Sequence, residues 1–184
     1  MDFKNACTQI NRLQITASGL LACILILFSS LITTHVDAAT MDASSHMIVN
    51  GRSYHMQQPR SGKKLNENNY GTGYQYEFAR SYGAKWVPFI SGSAFSDSFN
   101  NLSYYVGAGE SRRFYLTRGW HFDIGYFGFL MARKDINDYQ PFPGVLPVAS
   151  LGTNKISLNM TYIPKVNDQV AELIFFQLKV SMDN

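Results

Sequence analysis

The sequence predicts an all-β protein, an eight-stranded antiparallel transmembrane β-barrel, on three observations. Apolar and polar residues alternate with a period of two in run after run, which is typical of strands with two different faces. The connections between these runs are alternately long and short. The composition is rich in aromatic residues, at 14%, and carries only 16% charged residues, whereas an ordinary soluble domain has about 25%.

The N-terminus has the layout of a secretory signal peptide. Two cations precede an uncharged apolar stretch at 15–36, and small residues follow at Val36 and Ala38. We therefore expect a signal peptide at 1–38, cleaved after Ala38. An uncleaved anchor is the alternative, since 22 uncharged residues can span a bilayer. Lipoprotein processing at Cys23 is less favoured because apolar sequence continues beyond it.

Composition excludes several kinds of site. Both cysteines, Cys7 and Cys23, lie in the targeting segment, which excludes thiolate catalysis, cysteine–metal sites and disulfides in the exported chain. The formal charge of +3, spread over scattered basic residues, is too weak to predict nucleic-acid binding. We expect no metal and no cofactor, because neither a paired-histidine spacing nor a carboxylate cluster is present.

A short lead segment is expected at 39–46 and the barrel domain at 47–184. The alternation is clearest in four segments, namely YGTGYQYEFAR from residue 70, WHFDIGYFGFL from 120, ISLNMTYI from 156 and VAELIFFQLKV from 170. In chain order, the eight expected strands are 47–56, 69–80, 85–97, 102–115, 119–133, 143–152, 155–164 and 170–181.

The connections distinguish two rims of the barrel. Connections that are mostly long and polar, at 57–68, 98–101 and 134–142, would lie on one rim, and short ones, at 81–84, 116–118 and 153–154, on the other. This layout is typical of outer-membrane barrels. A soluble eight-stranded barrel is the alternative. The face opposite the bulky apolar residues holds Gly, Ser, Thr, Asn, Gln and Glu, which is a rare set for a soluble core, so the pattern favours the membrane barrel.

Three side chains can meet at one rim. His55 ends the first expected strand, and Asp97 and Ser98 end the third. A histidine base and a hydroxyl with a carboxylate nearby are the ingredients of acyl transfer, although the adjacency of Asp97 and Ser98 makes an ordinary Ser–His–Asp relay awkward. His46, in the lead segment, is expected to be inert. His121, near the short-turn rim, is expected to be structural.

Several motifs resemble the PagP family of outer-membrane lipid A palmitoyltransferases. LPVASLG at 146–152 and MTYIP at 160–164 are similar to the family's late strands, and AFSDSF at 94–99 is similar to the segment that carries its essential Asp-Ser pair. Ser53-Tyr54-His55 matches the strand end that carries the family's histidine, and Asn66-Glu67 resembles the start of its second strand. The resemblance covers about residues 47–180.

The resemblance implies transfer of a palmitoyl chain from a glycerophospholipid to lipid A in the outer leaflet of the outer membrane. It implies His55, Asp97 and Ser98 as catalytic residues, and it implies substrate contacts by Gly107, Gly109, Arg133, Pro143, Pro147 and Pro164. Gly109 falls where the family closes its acyl pocket, with Gly107 on the same face. The three prolines resemble a lateral lipid door, whereas Asn50 and Asn69 stand where the family's other door has prolines.

The implied partners are the glycerophospholipid donor, the lipid A acceptor and the membrane, without nucleic acid, and we expect a monomer. The family's N-terminal amphipathic helix is expected to be missing, because few residues separate Ala38 from the first strand. The final residues 181–184 lack the usual terminal aromatic. Two other functions stay open: an outer-membrane esterase or phospholipase that uses water as acceptor, and a non-catalytic structural or binding barrel.

Overall fold

The computed structural model describes residues 40–56, 65–165 and 172–183. Eight antiparallel strands follow one another around a closed barrel, and the last pairs with the first. They are β1 (Ser44–His55), β2 (Asn68–Glu77), β3 (Trp86–Ser96), β4 (Leu102–Tyr115), β5 (Trp120–Ala132), β6 (Phe142–Thr153), β7 (Ile156–Ile163) and β8 (Leu173–Ser181). The predicted fold is confirmed. The signal peptide expected at 1–38 lies outside the described residues.

The lead segment expected at 39–46 is partly strand. β1 begins at Ser44 because Ser44 pairs with Glu77 at the far end of β2. His46 therefore belongs to the barrel, where it is buried and its Nε2 lies 3.0 Å from Ser44 Oγ. Thr40–Met41 pairs with Arg80–Ser81 as a separate two-stranded sheet.

The connections lie at the two rims in the predicted order, although the β2–β3 connection, at 78–85, is longer than the β3–β4 connection, at 97–101. The chain crosses between β1 and β2, β3 and β4, β5 and β6, and β7 and β8 at one end, which we call the long-loop mouth. The remaining connections lie at the opposite, short-turn end. Thr117–Gly119 and Asn137–Tyr139 form short 3₁₀ turns. In the described parts of the chain, no helix has the length and apolar character needed to cross a membrane.

The two faces of each strand meet different surroundings. Large apolar side chains cover the outside, and the most exposed strand residues include Tyr70, Val145, Val106, Leu102, Tyr115 and Tyr126. Buried polar side chains face inward beside aromatic rings, for example Asn50, Ser91, Ser111 and Gln177. This inverted arrangement suits a bilayer, where lipid meets the outer face of the strands and the interior is polar.

A buried ion network occupies the short-turn end of the interior. Arg113 Nη2 donates to Asp123 Oδ2 at 2.8 Å and to Glu77 Oε2 at 3.2 Å. Lys179 Nζ donates to the other oxygen of Glu77. The two cations and two carboxylates balance, which is the condition under which buried charges are tolerated. His121 is buried beside this network, with Nε2 3.6 Å from Asp123 Oδ2, at the end where alternation predicted it.

Candidate active site

His55 and Ser98 meet at the long-loop mouth. His55 Nε2 lies 2.9 Å from Ser98 Oγ, and both side chains are buried. The two residues are adjacent in space because β1 and β3 both end at this rim. A histidine nitrogen within hydrogen-bond distance of a hydroxyl is the geometry required of a base that takes its proton. The sequence-based prediction that these residues converge is confirmed.

A bulge in β1 turns His55 inward. His46, Ile48 and Asn50 face the interior at two-residue spacing, but the next buried residues are Ser53 and His55. The ladders on both sides of β1 shift register between Asn50 and Ser53. An extra residue at such a bulge reverses which alternate side chains point inward. With uninterrupted alternation, His55 would face lipid.

Asp97 organises the turn that presents Ser98 and does not face the imidazole. Its Oδ1 accepts the backbone N–H groups of Phe99 and Asn101 at 2.8 and 2.9 Å. Its Oδ2 accepts the Ser103 hydroxyl at 3.0 Å. The carboxylate thereby closes the turn between β3 and β4 from within, a typical role for aspartate in turns. This geometry accounts for its place next to Ser98 without a Ser–His–Asp relay.

Arg133 lies at the same mouth. Its guanidinium makes a two-pronged pair with Asp135, at 2.9 and 2.8 Å, and Nη2 lies 3.9 Å from Asp97 Oδ2. The side chain also lines the interior cavity. Arginine's planar donor set suits bidentate binding of carboxylates and phosphates. One cation therefore stands where the cavity opens.

A cavity of about 420 Å³ runs through the interior. Ser98 and Arg133 line it at the mouth, and Asp123 and Lys179 line it near the ion network. The walls between are mainly apolar and include Met131, Leu146, Val148, Phe127 and Phe175. The size falls within the ~300–1,000 Å³ typical of ligand pockets. An apolar channel below a base and a hydroxyl suits a flexible hydrocarbon chain whose reactive end stays at the mouth.

Gly107 and Gly109 face the interior but lie behind aromatic rings. The cavity is lined by Phe89, Phe127 and Phe129, which stack with centroids 5.8 and 5.7 Å apart. A Cβ atom on Gly109 would lie 2.7 Å from Phe89 Cζ and 2.3 Å from the Tyr126 carbonyl oxygen. The glycine therefore makes room for the Phe89 ring, and the ring, not Gly109 itself, is the surface a ligand meets.

The barrel wall is open between β6 and β7. Their ladder holds five residue pairs, from Val148–Thr161 to Gly152–Ser157, whereas the β5–β6 ladder holds twelve. Above Thr161, towards the long-loop mouth, the described strands run on without pairing to each other. Pro143 and Pro164 line the cavity at this seam, and Pro147 follows the last pair. Proline lacks the N–H that a ladder requires.

Asn50 and Asn69 close the opposite side of the barrel. Asn50 Nδ2 donates to Ser93 Oγ at 2.6 Å, and its Oδ1 accepts from Gln177 Nε2 at 2.6 Å. Asn69 Nδ2 donates to the Ser96 carbonyl at 2.8 Å. These bonds join β1, β2, β3 and β8 on the side of the barrel where Asn50 and Asn69 stand in place of the family's prolines. The prolines that are present, in contrast, lie at the seam between β6 and β7.

Asn66 and Glu67 immediately precede β2, and in the sequence only the family resemblance distinguishes them. Asn66 Nδ2 donates to the Asp97 carbonyl at 3.1 Å, and Asn66 N donates to the Ser98 carbonyl at 2.8 Å. Glu67 Oε1 lies 3.9 Å from His55 Nδ1. No local pattern predicts these contacts, because the partners are more than ten residues away and come together only when the barrel closes.

The fold and site define a small membrane β-barrel with a largely apolar interior cavity and a buried histidine–serine pair at its mouth. A family comparison agrees with this class: the family described as "Antimicrobial peptide resistance and lipid A acylation protein PagP" matches residues 35–179. The chain belongs to this family. Its localisation is accordingly the outer membrane.

Individual relatives extend the comparison. The "Lipid A acyltransferase PagP" of Bordetella pertussis is 30% identical over 132 residues, which cover 70% of this chain and 71% of the relative. The protein of the same description from Methylobacillus flagellatus is 42% identical over 71 residues, and the chain spans 39% of that relative's length, with 39% of this chain matched. The crystal structure of Ail from Yersinia pestis shares 14% identity at a TM-score of 0.40, covering 77% of this chain and 98% of that one.

Proposed function

We propose that this acyltransferase moves a palmitoyl chain from a glycerophospholipid to lipid A in the outer leaflet of the outer membrane. The observation that supports it most is the apolar cavity that runs down from Ser98, whose hydroxyl lies 2.9 Å from His55 Nε2. The relatives named as lipid A acyltransferases support the acceptor. The donor is inferred from the cavity, whose volume of about 420 Å³ suits one acyl chain with its headgroup at the mouth.

The chemistry is an ester exchange. A lipid A hydroxyl attacks the donor's ester carbonyl, and its proton passes to His55, directly or through the Ser98 hydroxyl. The bond to the glycerol oxygen breaks, and that oxygen takes the proton from His55. The products are acylated lipid A and a lysophospholipid, so atoms and charge balance. A positioned base of this kind contributes about 10²–10⁴-fold to the rate.

The remaining residues supply binding. Arg133, at the mouth, binds a lipid phosphate through its guanidinium. The seam beside Pro143, Pro147 and Pro164 admits the donor chain sideways from the bilayer. Phe89, seated in the space above Gly109, limits how deep the chain descends. The protein acts as a monomer in this proposal, since cavity, seam and site all belong to one barrel.

Mass spectrometry of lipid A from cells with and without the gene tests the proposal. Transfer adds one palmitoyl group to lipid A in the cells that carry the gene and leaves an equal amount of lysophospholipid. Free fatty acid with lysophospholipid, and unmodified lipid A, would instead establish a phospholipase. Unchanged lipids of both kinds would leave a binding barrel. The mass of the intact protein then tells whether an acyl-Ser98 ester forms on the route.

A further inference from the structure

One carboxylate at the long-loop mouth faces the back of the catalytic histidine. His55 uses Nε2 for Ser98, and its Nδ1 points the other way, towards Glu67 Oε1 at 3.9 Å. Nδ1 is buried and has no hydrogen-bond partner among the described residues. An unpaired buried ring nitrogen beside a carboxylate is unfavourable unless the two groups close on each other.

Glu67 is held in this place from several sides. Its backbone carbonyl accepts the Ser53 N–H at 2.9 Å, which ties it to the strand that carries His55. Arg52 Nη2 lies 3.6 Å from Oε2, the oxygen that does not face His55. The preceding residue, Asn66, binds the Asp97–Ser98 backbone. One short segment therefore fixes both the base and the hydroxyl.

We propose that Glu67 is the positioning residue of the site: it accepts the Nδ1–H of His55 and thereby turns the lone pair of Nε2 towards Ser98. This inference rests on the proposed function. The hydroxyl then donates to Nε2, and the carboxylate stabilises the imidazolium that forms when a proton arrives. Asp97 is committed to its turn, so Glu67 occupies the third place of the relay. Catalytic hydrogen bonds are often long without substrate and tighten when it binds.

Glu67 is not placed to bind the acyl chain. It lies outside the residues that line the main cavity and opens instead to the surface beside Arg52 and Tyr54. Its effect must therefore reach the reaction through His55. A substitution at Glu67 is expected to lower kcat and to leave KM for the donor near the wild-type value.

Three substitutions at Glu67 test the positioning role. The full-length protein is extracted from the outer membrane and assayed in detergent micelles. Glu67→Gln keeps the shape and an acceptor oxygen but removes the charge, Glu67→Leu removes both, and Glu67→Asp keeps a shorter carboxylate. We expect kcat to fall by about 10²-fold in Glu67→Gln, further in Glu67→Leu, and by less in Glu67→Asp. Glu172→Gln is the matched control: Glu172 lies at the same mouth and accepts from Tyr162 at 2.7 Å, away from His55.

Two further measurements separate positioning from folding. In a His55→Ala background, Glu67→Gln is expected to change kcat no further, because the pair acts as one unit. The ¹⁵N chemical shifts of His55 are expected to show the Nδ1–H tautomer in the wild type and a shift towards Nε2–H in Glu67→Leu. These shifts are read from folded protein without any assay.

The outcomes are distinct. Wild-type kcat in both Glu67→Gln and Glu67→Leu, or an unchanged tautomer in Glu67→Leu, would overturn the role of Glu67 while acyl transfer itself stands. An equal further loss in the His55→Ala background would do the same. A wild-type protein that adds no acyl group to lipid A would overturn the proposed function, whereas the tautomer measurement would still decide whether Glu67 orients His55.

Discussion

Ser98 is presented to His55 by a turn that Asp97 holds together. The carboxylate of Asp97 binds two backbone N–H groups and the Ser103 hydroxyl, and only 1% of the residue is exposed. Removing it leaves these donors unsatisfied and frees the turn. In the proposed function, the three residues therefore contribute in two ways, His55 and Ser98 by chemistry and Asp97 by geometry.

Alanine substitution at each of these residues is the first prediction. His55→Ala and Ser98→Ala are expected to lower acyl transfer by about 10²–10⁴-fold, the range of acid–base groups. Asp97→Ala is also expected to lower it strongly, because the turn that presents Ser98 loses the carboxylate that closes it. His121→Ala is the matched control, because His121 is buried near the opposite end beside Asp123 and is expected to leave transfer unchanged. Radiolabelled donor in detergent measures the rates. Full activity in both His55→Ala and Ser98→Ala would place the chemistry elsewhere.

Chain length is the second prediction, and it concerns Gly109 and Phe89. A Cβ atom on Gly109 would lie 2.3 Å from the Tyr126 carbonyl oxygen and 2.7 Å from Phe89 Cζ, so a side chain there must displace both the β4–β5 ladder and the Phe89 ring. In the folded variant, Gly109→Met is expected to shift selectivity from sixteen carbons to shorter donors. Phe89→Ala removes the ring and is expected to admit longer ones. Each CH₂ that still fits contributes about 0.8 kcal/mol, or roughly fourfold in affinity.

Mixed-chain phospholipid donors measure both variants in one experiment, and Gly107→Ala serves as the comparison at the neighbouring inward position. A Cβ atom on Gly107 would meet the Gly128 carbonyl and Phe129 rather than Phe89. A barrel that stays folded and active while neither Gly109→Met nor Phe89→Ala moves the chain-length profile would show that the acyl chain ends above this layer.

At the scale of strands, the seam between β6 and β7 is where the proposed function places the lateral entry of lipid. The part of β6 that pairs with β5 but not with β7 carries Pro143 and Pro147, and the chain leaving β7 carries Pro164. The other seven strand pairs of the barrel have longer ladders. A lipid chain can therefore enter sideways here with little loss of backbone hydrogen bonding.

Closing this seam is the third prediction. Pro147 and Tyr162 follow the last ladder pair, Val148–Thr161, in register, so Pro147→Cys with Tyr162→Cys is expected to form a disulfide on oxidation. No other cysteine is present beyond residue 23. The oxidised protein is expected to lose transfer at least tenfold, and reduction is expected to restore it, provided that Cβ atoms reach about 4 Å.

The control pair stands lower in the same ladder. Leu151 and Leu158 face each other on the outside of β6 and β7, so Leu151→Cys with Leu158→Cys joins strands that are already paired. Oxidation of this pair is expected to leave transfer unchanged. Transfer that continues in the oxidised seam pair, with the disulfide verified by mass, would mean that lipid enters by another route.

The sequence predicts the features that follow from residue parity within one strand. It does not predict those that depend on contacts between strands distant in sequence. Alternation locates all eight strands and the inward position of Glu77, Asp123 and Lys179, because a strand's two faces follow directly from residue parity. The ion network is also predictable, because these charged residues all face inward at the short-turn end of the barrel. The bulge in β1 is only weakly signalled: an isolated glycine such as Gly51 can mark a bulge, but Gly107 and Gly109 of β4 lie in ladders that show no register shift. The contacts of Glu67 with His55 depend on strands that meet only in the closed barrel.

For the whole molecule, the apolar outer surface of the barrel indicates whether lipid or water surrounds it. Val106 on β4 is 62% exposed, and its ladder partners are Gly92 and Leu130. In water, the apolar side chains on the outside of the barrel would cost about 25 cal/mol of free energy for each Å² exposed. In a bilayer they contact lipid, and this cost does not arise. The interior, in contrast, keeps its charged groups paired and away from lipid.

The fourth prediction follows from this surface. The protein is expected to be extracted from the outer membrane only with detergent and to migrate differently on gels before and after heating.

Val106→Arg is expected to lower the free energy of unfolding in lipid vesicles by about 2–4 kcal/mol, the range for a cation near the bilayer midplane. Tyr82→Arg, at an 80% exposed position in the connection between β2 and β3, is the control and is expected to stay within about 0.5 kcal/mol. Urea titrations followed by the fluorescence of Trp86 and Trp120 measure both. If the chain stays dispersed and monomeric without detergent, and Val106→Arg unfolds at the wild-type urea concentration, its outer surface faces water and the barrel is a soluble one.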